Sequence, residues 1–157
     1  MNIVPFSKVT ALASSLRVKK RRIVFTNGCF DIIHAGHIKY LEKAKALGDI
    51  LIVGINSDSS VKKIKGPKRP VVRQCDRAAI VAALRPVDYV SIFNDSTPIK
   101  LIKAIKPDVL VKGADWRLNS IVGGDFVKSY GGKVKAASLV KGRSTSNLIR
   151  KIVDIFK

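Results

Sequence analysis

Thr26-Asn27-Gly28-Cys29-Phe30-Asp31-Ile32-Ile33-His34-Ala35-Gly36-His37 is the stretch whose reading decides the fold. It follows Ile23-Val24-Phe25, an apolar run of strand length, and precedes Ile38, Leu41, Ala44 and Leu47, which recur at helical spacing. The Asn27-Gly28 pair breaks the strand, so His34 and His37 stand where a strand hands over to a helix. In an open α/β sheet that junction is where ligands bind, and the exposed N–H groups of a helix N-terminus favour an anion there.

The same alternation repeats outward from this point. Ser7 is placed to cap a helix carrying Val9, Leu12 and Leu16, and the basic turn Lys19 to Arg22 separates it from the first strand. Gly48-Asp49 closes the histidine-bearing helix, and Ile50 to Ile55 is a continuous apolar run of the kind buried on both faces of a parallel sheet. A short helix follows Asn56-Ser57-Asp58, then the loop Lys65-Gly66-Pro67-Lys68-Arg69-Pro70. The pattern next predicts a helix from about Asp76 to Leu84, a strand from Tyr89 to Phe93 and a helix opened by Thr97-Pro98. It ends with a strand at Val109-Leu110-Val111, a last strand near Val134 to Val140 and a terminal helix from Ser146 to Phe156. Strands alternating with helices predict right-handed crossovers and a doubly wound, Rossmann-like parallel sheet of the α/β class. Its ligand crevice belongs at the carboxyl ends of the strands. With 157 residues, 46% of them hydrophobic, the chain reads as a single domain: residues 1–22 as an N-terminal helix and basic turn, residues 23–157 as the core that carries the chemistry.

The two cysteines, Cys29 and Cys75, make no disulfide framework, which points to a reducing cytoplasm. Met1 to Leu16 is too polar for a signal peptide and no apolar run reaches spanning length, so the expected location is cytoplasmic, without a membrane partner. Charge is the lopsided quantity: 30 Lys and Arg against 11 Asp and Glu give +19. Such a balance fits either a nucleic-acid binder or an enzyme of anionic substrates. The dense clusters, Lys19-Lys20-Arg21-Arg22 and Lys62 to Arg69, lack an aromatic-interleaved RNA motif, zinc finger or basic zipper, so no specific nucleic-acid partner is expected.

His34 and His37 can serve two chemistries. As metal ligands they need further donors, which Cys29 and Asp31 offer, but the chain holds no other histidine and no H-E-x-x-H helix. As anion binders they share one face of a first helical turn, with Gly36 between them allowing close backbone approach, and so form a cradle for a triphosphate. Two other segments carry polar chemistry. Arg143-Ser144-Thr145-Ser146 places hydroxyls at a helix start, where Ser and Thr also serve as ordinary caps. Val111-Lys112-Gly113-Ala114-Asp115-Trp116 turns from a strand end into a loop and holds the single tryptophan, which also suits a core edge.

Taken together, N-G-C-F-D-x-x-H-x-G-H and the Arg143 to Ser146 segment resemble the nucleotidyltransferase superfamily marked by the HxGH motif. Within it, Asn56-Ser57-Asp58, Lys65 to Pro70 and Val111-Lys112-Gly113 are most similar to the adenylyltransferases that make ADP-activated heptose, and the likeness runs from about Ile23 to Ile152. The resemblance implies transfer of AMP from ATP to a sugar 1-phosphate, heptose 1-phosphate above others, with release of pyrophosphate. It implies charge stabilisation by His34 and His37, with Lys45 as a third catalytic candidate. Nucleotide contacts are expected from Thr26, Asn27, Gly28, Cys29, Phe30, Asp31 and Gly36. Lys112, Gly113, Asp115 and Trp116 are expected near the ribose and base, and Arg143, Ser144, Thr145 and Ser146 at the β- and γ-phosphates. Arg77, Lys68 and Arg69 are the candidates to meet the substrate's phosphate.

A nucleophile that is already a phosphate needs no activated base, which agrees with the lack of a Ser-His-Asp arrangement. Mg²⁺ is expected to ride on phosphate oxygens with few protein ligands, and no protein-held metal is expected. Further expectations are a homodimer, a separate sugar kinase and phosphatase in the same pathway, and a form that stands alone rather than fused behind a kinase. Asp115-Trp116 also fits the glycerol-phosphate cytidylyltransferases, which is the alternative enzyme. A non-catalytic nucleotide or nucleic-acid binding module is the alternative of another class.

Overall fold

The computed structural model describes residues 2–113, 121–138 and 144–156. Within them the order is α1 (Phe6–Val18), β1 (Ile23–Gly28), α2 (Ala35–Lys45), β2 (Ile50–Asn56), α3 (Asp58–Lys65), α4 (Gln74–Ala82) and β3 (Tyr89–Phe93). Then come α5 (Ile99–Ile105), β4 (Val109–Gly113), α6 (Gly124–Ser129), β5 (Lys133–Ala137) and α7 (Thr145–Ile155). The strands form one five-stranded sheet in the order β3-β2-β1-β4-β5, and every pairing is parallel. The chain builds outward from β1 through β2 to β3, then returns to the other side for β4. The strand order therefore reverses between β1 and β4, and a crevice opens beyond their carboxyl ends.

The period of two along each strand sorts apolar side chains onto two faces. Val24 of β1, Leu51, Val53 and Ile55 of β2, and Val109 and Val111 of β4 pack with Leu41 and Ala44 of α2 and Ala78 and Val81 of α4. Ile23 and Phe25, Ile52 and Leu110 point the other way, onto Val9, Ala13 and Leu16 of α1, Leu101, Ile102 and Ile105 of α5, and Val127 of α6. Each fully buried Val, Leu, Ile or Phe among them stabilises the fold by about 1.5–3 kcal/mol, as suits a sheet covered on both faces. At Gly54 the sheet and α5 approach closely: a Cβ there would lie 2.9 Å from Phe25 Cζ and 3.0 Å from Leu101 Cδ2.

Several boundaries depart from the sequence pattern. Asn27-Gly28 does not end β1 but continues it, because Asn27 pairs with Gly54 and Gly28 with Ile55. Pro5, not Ser7, is the N-cap of α1, and Pro98 is the N-cap of α5 rather than its first residue. α6 has no counterpart in the reading; it is a six-residue helix with Gly123 at positive φ as its N-cap. β5 is shorter than expected and ends at Ala137.

Candidate active site

β1 delivers the chain to the crevice, and the next six residues are shaped by one strained position. Phe30 adopts a φ of 47°, costly for a side chain with a Cβ. Its ring compensates by packing: Phe30 is 5% exposed, lies over Gly28 and meets the ring of His37 at a centroid distance of 5.4 Å. A Cβ at Gly28 would stand 3.0 Å from Phe30 Cε2, so glycine is needed here for close approach. The reversal at Phe30 turns Asp31 back toward the loop before α4. There its carboxylate accepts from Arg69 Nε at 2.6 Å, from Val71 N at 2.9 Å and from Val72 N at 2.8 Å. Burial pushes the Asp31 carboxyl up, but the N–H groups of Val72 and Val71 and the Arg69 guanidinium outweigh it and hold the group below the usual carboxylate range.

His34 is the N-cap of α2 and His37 stands one turn on. Nδ1 of His34 accepts from Gly36 N at 3.1 Å, and Nδ1 of His37 accepts from His34 N at 3.4 Å. An imidazole whose Nδ1 accepts carries its proton on Nε2 when neutral. Both rings are therefore set as Nε2–H donors by the backbone that starts the helix. They stack with centroids 3.9 Å apart and planes 27° from parallel. Burial, and then the neighbouring His34, lower the pKa of His37 to about 4, so it is a neutral donor at neutral pH.

The second polar segment arrives at the same place. Ser144 caps α7 by accepting from Asn147 N at 3.1 Å, and Thr145 Oγ1 lies 3.4 Å from the carbonyl oxygen of Ile32, two residues before His34. From the third segment, Lys112 Nζ donates to the carbonyl oxygen of Asn27 at 3.2 Å, which draws the end of β4 onto the end of β1. Asn27 Oδ1 is buried with no hydrogen-bond partner among the described residues. His34, His37, Gly36, Asn27, Gly28, Lys112, Gly113, Ser144, Thr145 and Ser146 thus belong to elements that converge at one pole of the sheet. Asp115, Trp116 and Arg143 lie outside the described residues.

Other expected contacts are placed differently. Lys45 is not at this pole: it closes α2, some 15 Å of helix from His34, where its Nζ pairs with Asp88 at 2.6 Å and donates to the carbonyl oxygen of Asp49. Arg77 presents no charge to the surface either, because its side chain is fully buried. It donates through Nη2 to Asp58 at 2.8 Å, through Nη1 to the Cys29 carbonyl at 2.5 Å and through Nε to the Val72 carbonyl at 2.9 Å. Thr26 is buried and shares a 2.6 Å hydrogen bond with the Tyr40 hydroxyl, which also donates to the Val111 carbonyl, so its side chain braces the strand end. Asp31 holds the 69–72 loop and Phe30 backs His37. Burial pushes the Cys29 thiol up, against Lys65, Arg77 and Arg69, which favour the thiolate. Lys68 is exposed and Arg69 half-buried on the same loop.

Sequence reasoning did not find the Arg77 brace, although Asp58 in the first turn of α3 was a signal of a charge partner. Nothing in the sequence marked Phe30 for positive φ. Among the described residues no three His, Cys, Asp or Glu side chains group as metal ligands, and no helix is long and apolar enough to cross a membrane.

Known proteins resemble this chain over most of its length. The profile of the cytidylyltransferase-like family matches residues 25–150. The bifunctional protein HldE of Syntrophotalea carbinolica is 50% identical over 150 residues, covering 94% of this chain and 31% of its own length. The bifunctional protein HldE of Geobacter metallireducens is 53% identical over 140 residues, 89% of this chain and 29% of its own. The chain thus spans about a third of the length of these curated relatives. Among solved structures, the lipopolysaccharide core biosynthesis protein of Thermoplasma volcanium aligns with a TM-score of 0.65 and 29% identity over 78% of this chain and 99% of that one. The pantoate-beta-alanine ligase of Francisella tularensis aligns at a TM-score of 0.64 over 98% of this chain and 79% of that one, and its 17% identity speaks for the fold alone.

Proposed function

The chain belongs to the cytidylyltransferase-like family, and from that premise we propose that it transfers AMP from ATP to a sugar 1-phosphate, heptose 1-phosphate first among candidates, releasing pyrophosphate. The observation that carries the reading is the meeting of α2 and α7: the histidine cradle and the Ser144-Thr145 cap approach each other at Ile32. Two helix N-termini directed at one crevice favour a polyanion. The high identity to the HldE proteins supports the sugar-phosphate class of acceptor.

In this reading the triphosphate lies between the two helix starts. The acceptor's phosphate oxygen attacks the α-phosphorus, the bond to the bridging oxygen breaks, and pyrophosphate leaves with the electron pair. No protein base is required, since the nucleophile is an anion. The Nε2–H groups of His34 and His37 donate to oxygens on which charge develops, and their fixed tautomers mean that little reorganises during the reaction. Ser144, Thr145 and Ser146 hold the outer phosphates from the α7 side. Arg69, aligned by Asp31, and Lys68 serve the acceptor's phosphate. Magnesium would enter with the ATP substrate and neutralise phosphate charge there; the Asp31 carboxylate, occupied by three donors, is not set to hold it. A cytoplasmic location, a homodimer and a kinase and phosphatase acting before and after this step complete the reading.

The test is pyrophosphate release with each nucleoside triphosphate against a panel of sugar and polyol phosphates. Turnover with ATP and heptose 1-phosphate about fivefold or more above every other pairing is the expected result. Turnover confined to glycerol phosphate and CTP would replace the proposal with the cytidylyltransferase reading.

A further inference from the structure

The pole of the sheet opposite the crevice carries a charge that nucleotidyl transfer does not use. α1 ends at Val18 and a tight turn, Lys19-Lys20-Arg21-Arg22, leads into β1. Beside it stand Lys106, just before β4, and Lys133, which opens the adjoining β5. All six cations are exposed, and none takes part in an ion pair among the described residues. The turn is fixed rather than loose: Lys20 has a φ of 54°, and Arg17 at the end of α1 donates to the carbonyl oxygens of Ile105 and Lys106 at 2.7 and 3.4 Å.

The carboxylates at this pole are committed to the main chain. Asp49 accepts from Arg22 N at 2.7 Å, Asp108 from Ile23 N at 2.7 Å, and Asp88 from Leu51 N at 2.6 Å. Each satisfies an N–H at a strand entrance that the ladder leaves over; Asp49 and Asp108 are exposed as well, but the six cations outnumber the three acids at this pole. Between them lies a recess of about 240 Å³ lined by Arg22, Asp108, Tyr130, Gly131, Gly132 and Lys133. Tyr130 is 40% exposed, and its ring is held by the hydroxyl's 2.8 Å bond to the Pro107 carbonyl and by an edge contact with Phe126 at 5.3 Å.

We propose that this pole is a docking surface for the phosphate backbone of nucleic acid, bound without regard to sequence. Backbone recognition asks for outward cations at several points and a rigid aromatic beside them, not for base-edge donors. The relief favours a strand over a lipid surface, because a recess rimmed by Arg22 and Lys133 suits a phosphodiester chain, whereas a lasting hold on a bilayer takes an inserted apolar group as well as basic charge. From Arg17 to Ile23 the exposed apolar surface is Val18 alone. β1 separates this pole from the histidine cradle by about 20 Å, so docking and transfer are compatible.

Fluorescence anisotropy with labelled oligonucleotides of about 20 nucleotides, single-stranded and duplex, over a salt series tests the proposal. The decisive comparison holds net charge constant. Replacing Lys19, Lys20, Arg21 and Arg22 by Ala should weaken binding about tenfold or more and flatten the salt dependence by about 3 in slope. Replacing Lys8, Lys39, Lys63 and Lys151, exposed elsewhere, should change it by less than about twofold. The double variant Lys106→Ala, Lys133→Ala should also weaken binding, and it decides the matter if the quadruple variant fails to fold. Pyrophosphate release should be unchanged in both pole variants. Equal losses in the control would overturn the proposal in favour of diffuse charge. Tighter binding to anionic phospholipid vesicles than to oligonucleotide at equal phosphate would overturn it in favour of a membrane, and selectivity among sequences would overturn the backbone-only mode.

Discussion

His34 and His37 stack at 3.9 Å while each accepts a main-chain N–H through Nδ1, so one helical turn fixes both the position and the tautomer of two donors. Preorganised donors facing developing charge contribute about 10²- to 10³-fold each in rate. His34→Ala and His37→Ala should therefore each lower kcat by about that factor and leave the far-UV circular dichroism spectrum unchanged. Near-normal turnover in both variants would remove them from the chemistry. Restoration of a chelator-treated enzyme by zinc but not magnesium would make them metal ligands.

Acidification acts on His37 in a defined direction. Its pKa is about 4 in the folded chain against 6.5 when unperturbed, because burial and His34 disfavour the imidazolium. Between these values the unfolded chain binds more protons than the native one, so stability falls as the pH drops from about 6.5 to about 4. His37→Asn should shallow that slope in urea melts. A bound triphosphate reverses the local field and favours the imidazolium. Nucleotide binding near pH 6 should accordingly take up protons, measurable by calorimetry in buffers of different ionisation heat; an uptake independent of His37 would contradict the placement of phosphate at this ring.

Arg77 and Lys45 should separate in a way that charge alone does not suggest. Removing Arg77 leaves Asp58 and the Cys29 and Val72 carbonyls without their buried donor. Arg77→Ala should cost about 3 kcal/mol, a fall in Tm of roughly 6–12 °C. Lys45→Ala breaks a partly exposed pair with Asp88, worth about 1 kcal/mol or less, and should leave turnover intact. A large loss of kcat in Lys45→Ala, with Tm preserved, would return that residue to the catalytic set.

The sheet was legible because its strands are continuous apolar runs: Ile50 to Ile55 could be little else, and the two-sided burial of Val24 against Phe25 follows from their alternation. The histidine junction was legible for the same reason, since a strand, a turn and a helix were each visible around it. What stayed hidden depends on contacts distant in sequence. Asp31 reads equally as an acid that holds its turn through backbone N–H groups or one that touches ligand, and the sequence does not say that the N–H groups are those of Val71 and Val72, some 40 residues on. Arg77 reads as a candidate for the substrate's phosphate until Asp58 and Cys29 close around it. Lys45 shows the opposite effect: its helix begins at the site, but eleven residues carry its end to the far pole.

The base remains the sharpest discriminator, and ATP is expected in preference to CTP. Lys65 to Pro70 and Val111 to Gly113 are similar to the heptose adenylyltransferases, and the relatives at 50% and 53% identity are HldE proteins. Asp115-Trp116, which also fits the cytidylyltransferase pattern, pulls the other way. Stacking on Trp116 would not decide between them, because every base has a π-face. Selection has to come from polar groups at the base edge, where a buried donor or acceptor left unpaired costs about 1–3 kcal/mol, roughly 5- to 150-fold. The ratio of kcat/KM for ATP over CTP with heptose 1-phosphate should fall within or above that range. Trp116→Phe should lower both values together and keep the ratio. A ratio near one, or one favouring CTP, would sink the adenylyltransferase assignment and leave the nucleotidyltransferase fold untouched.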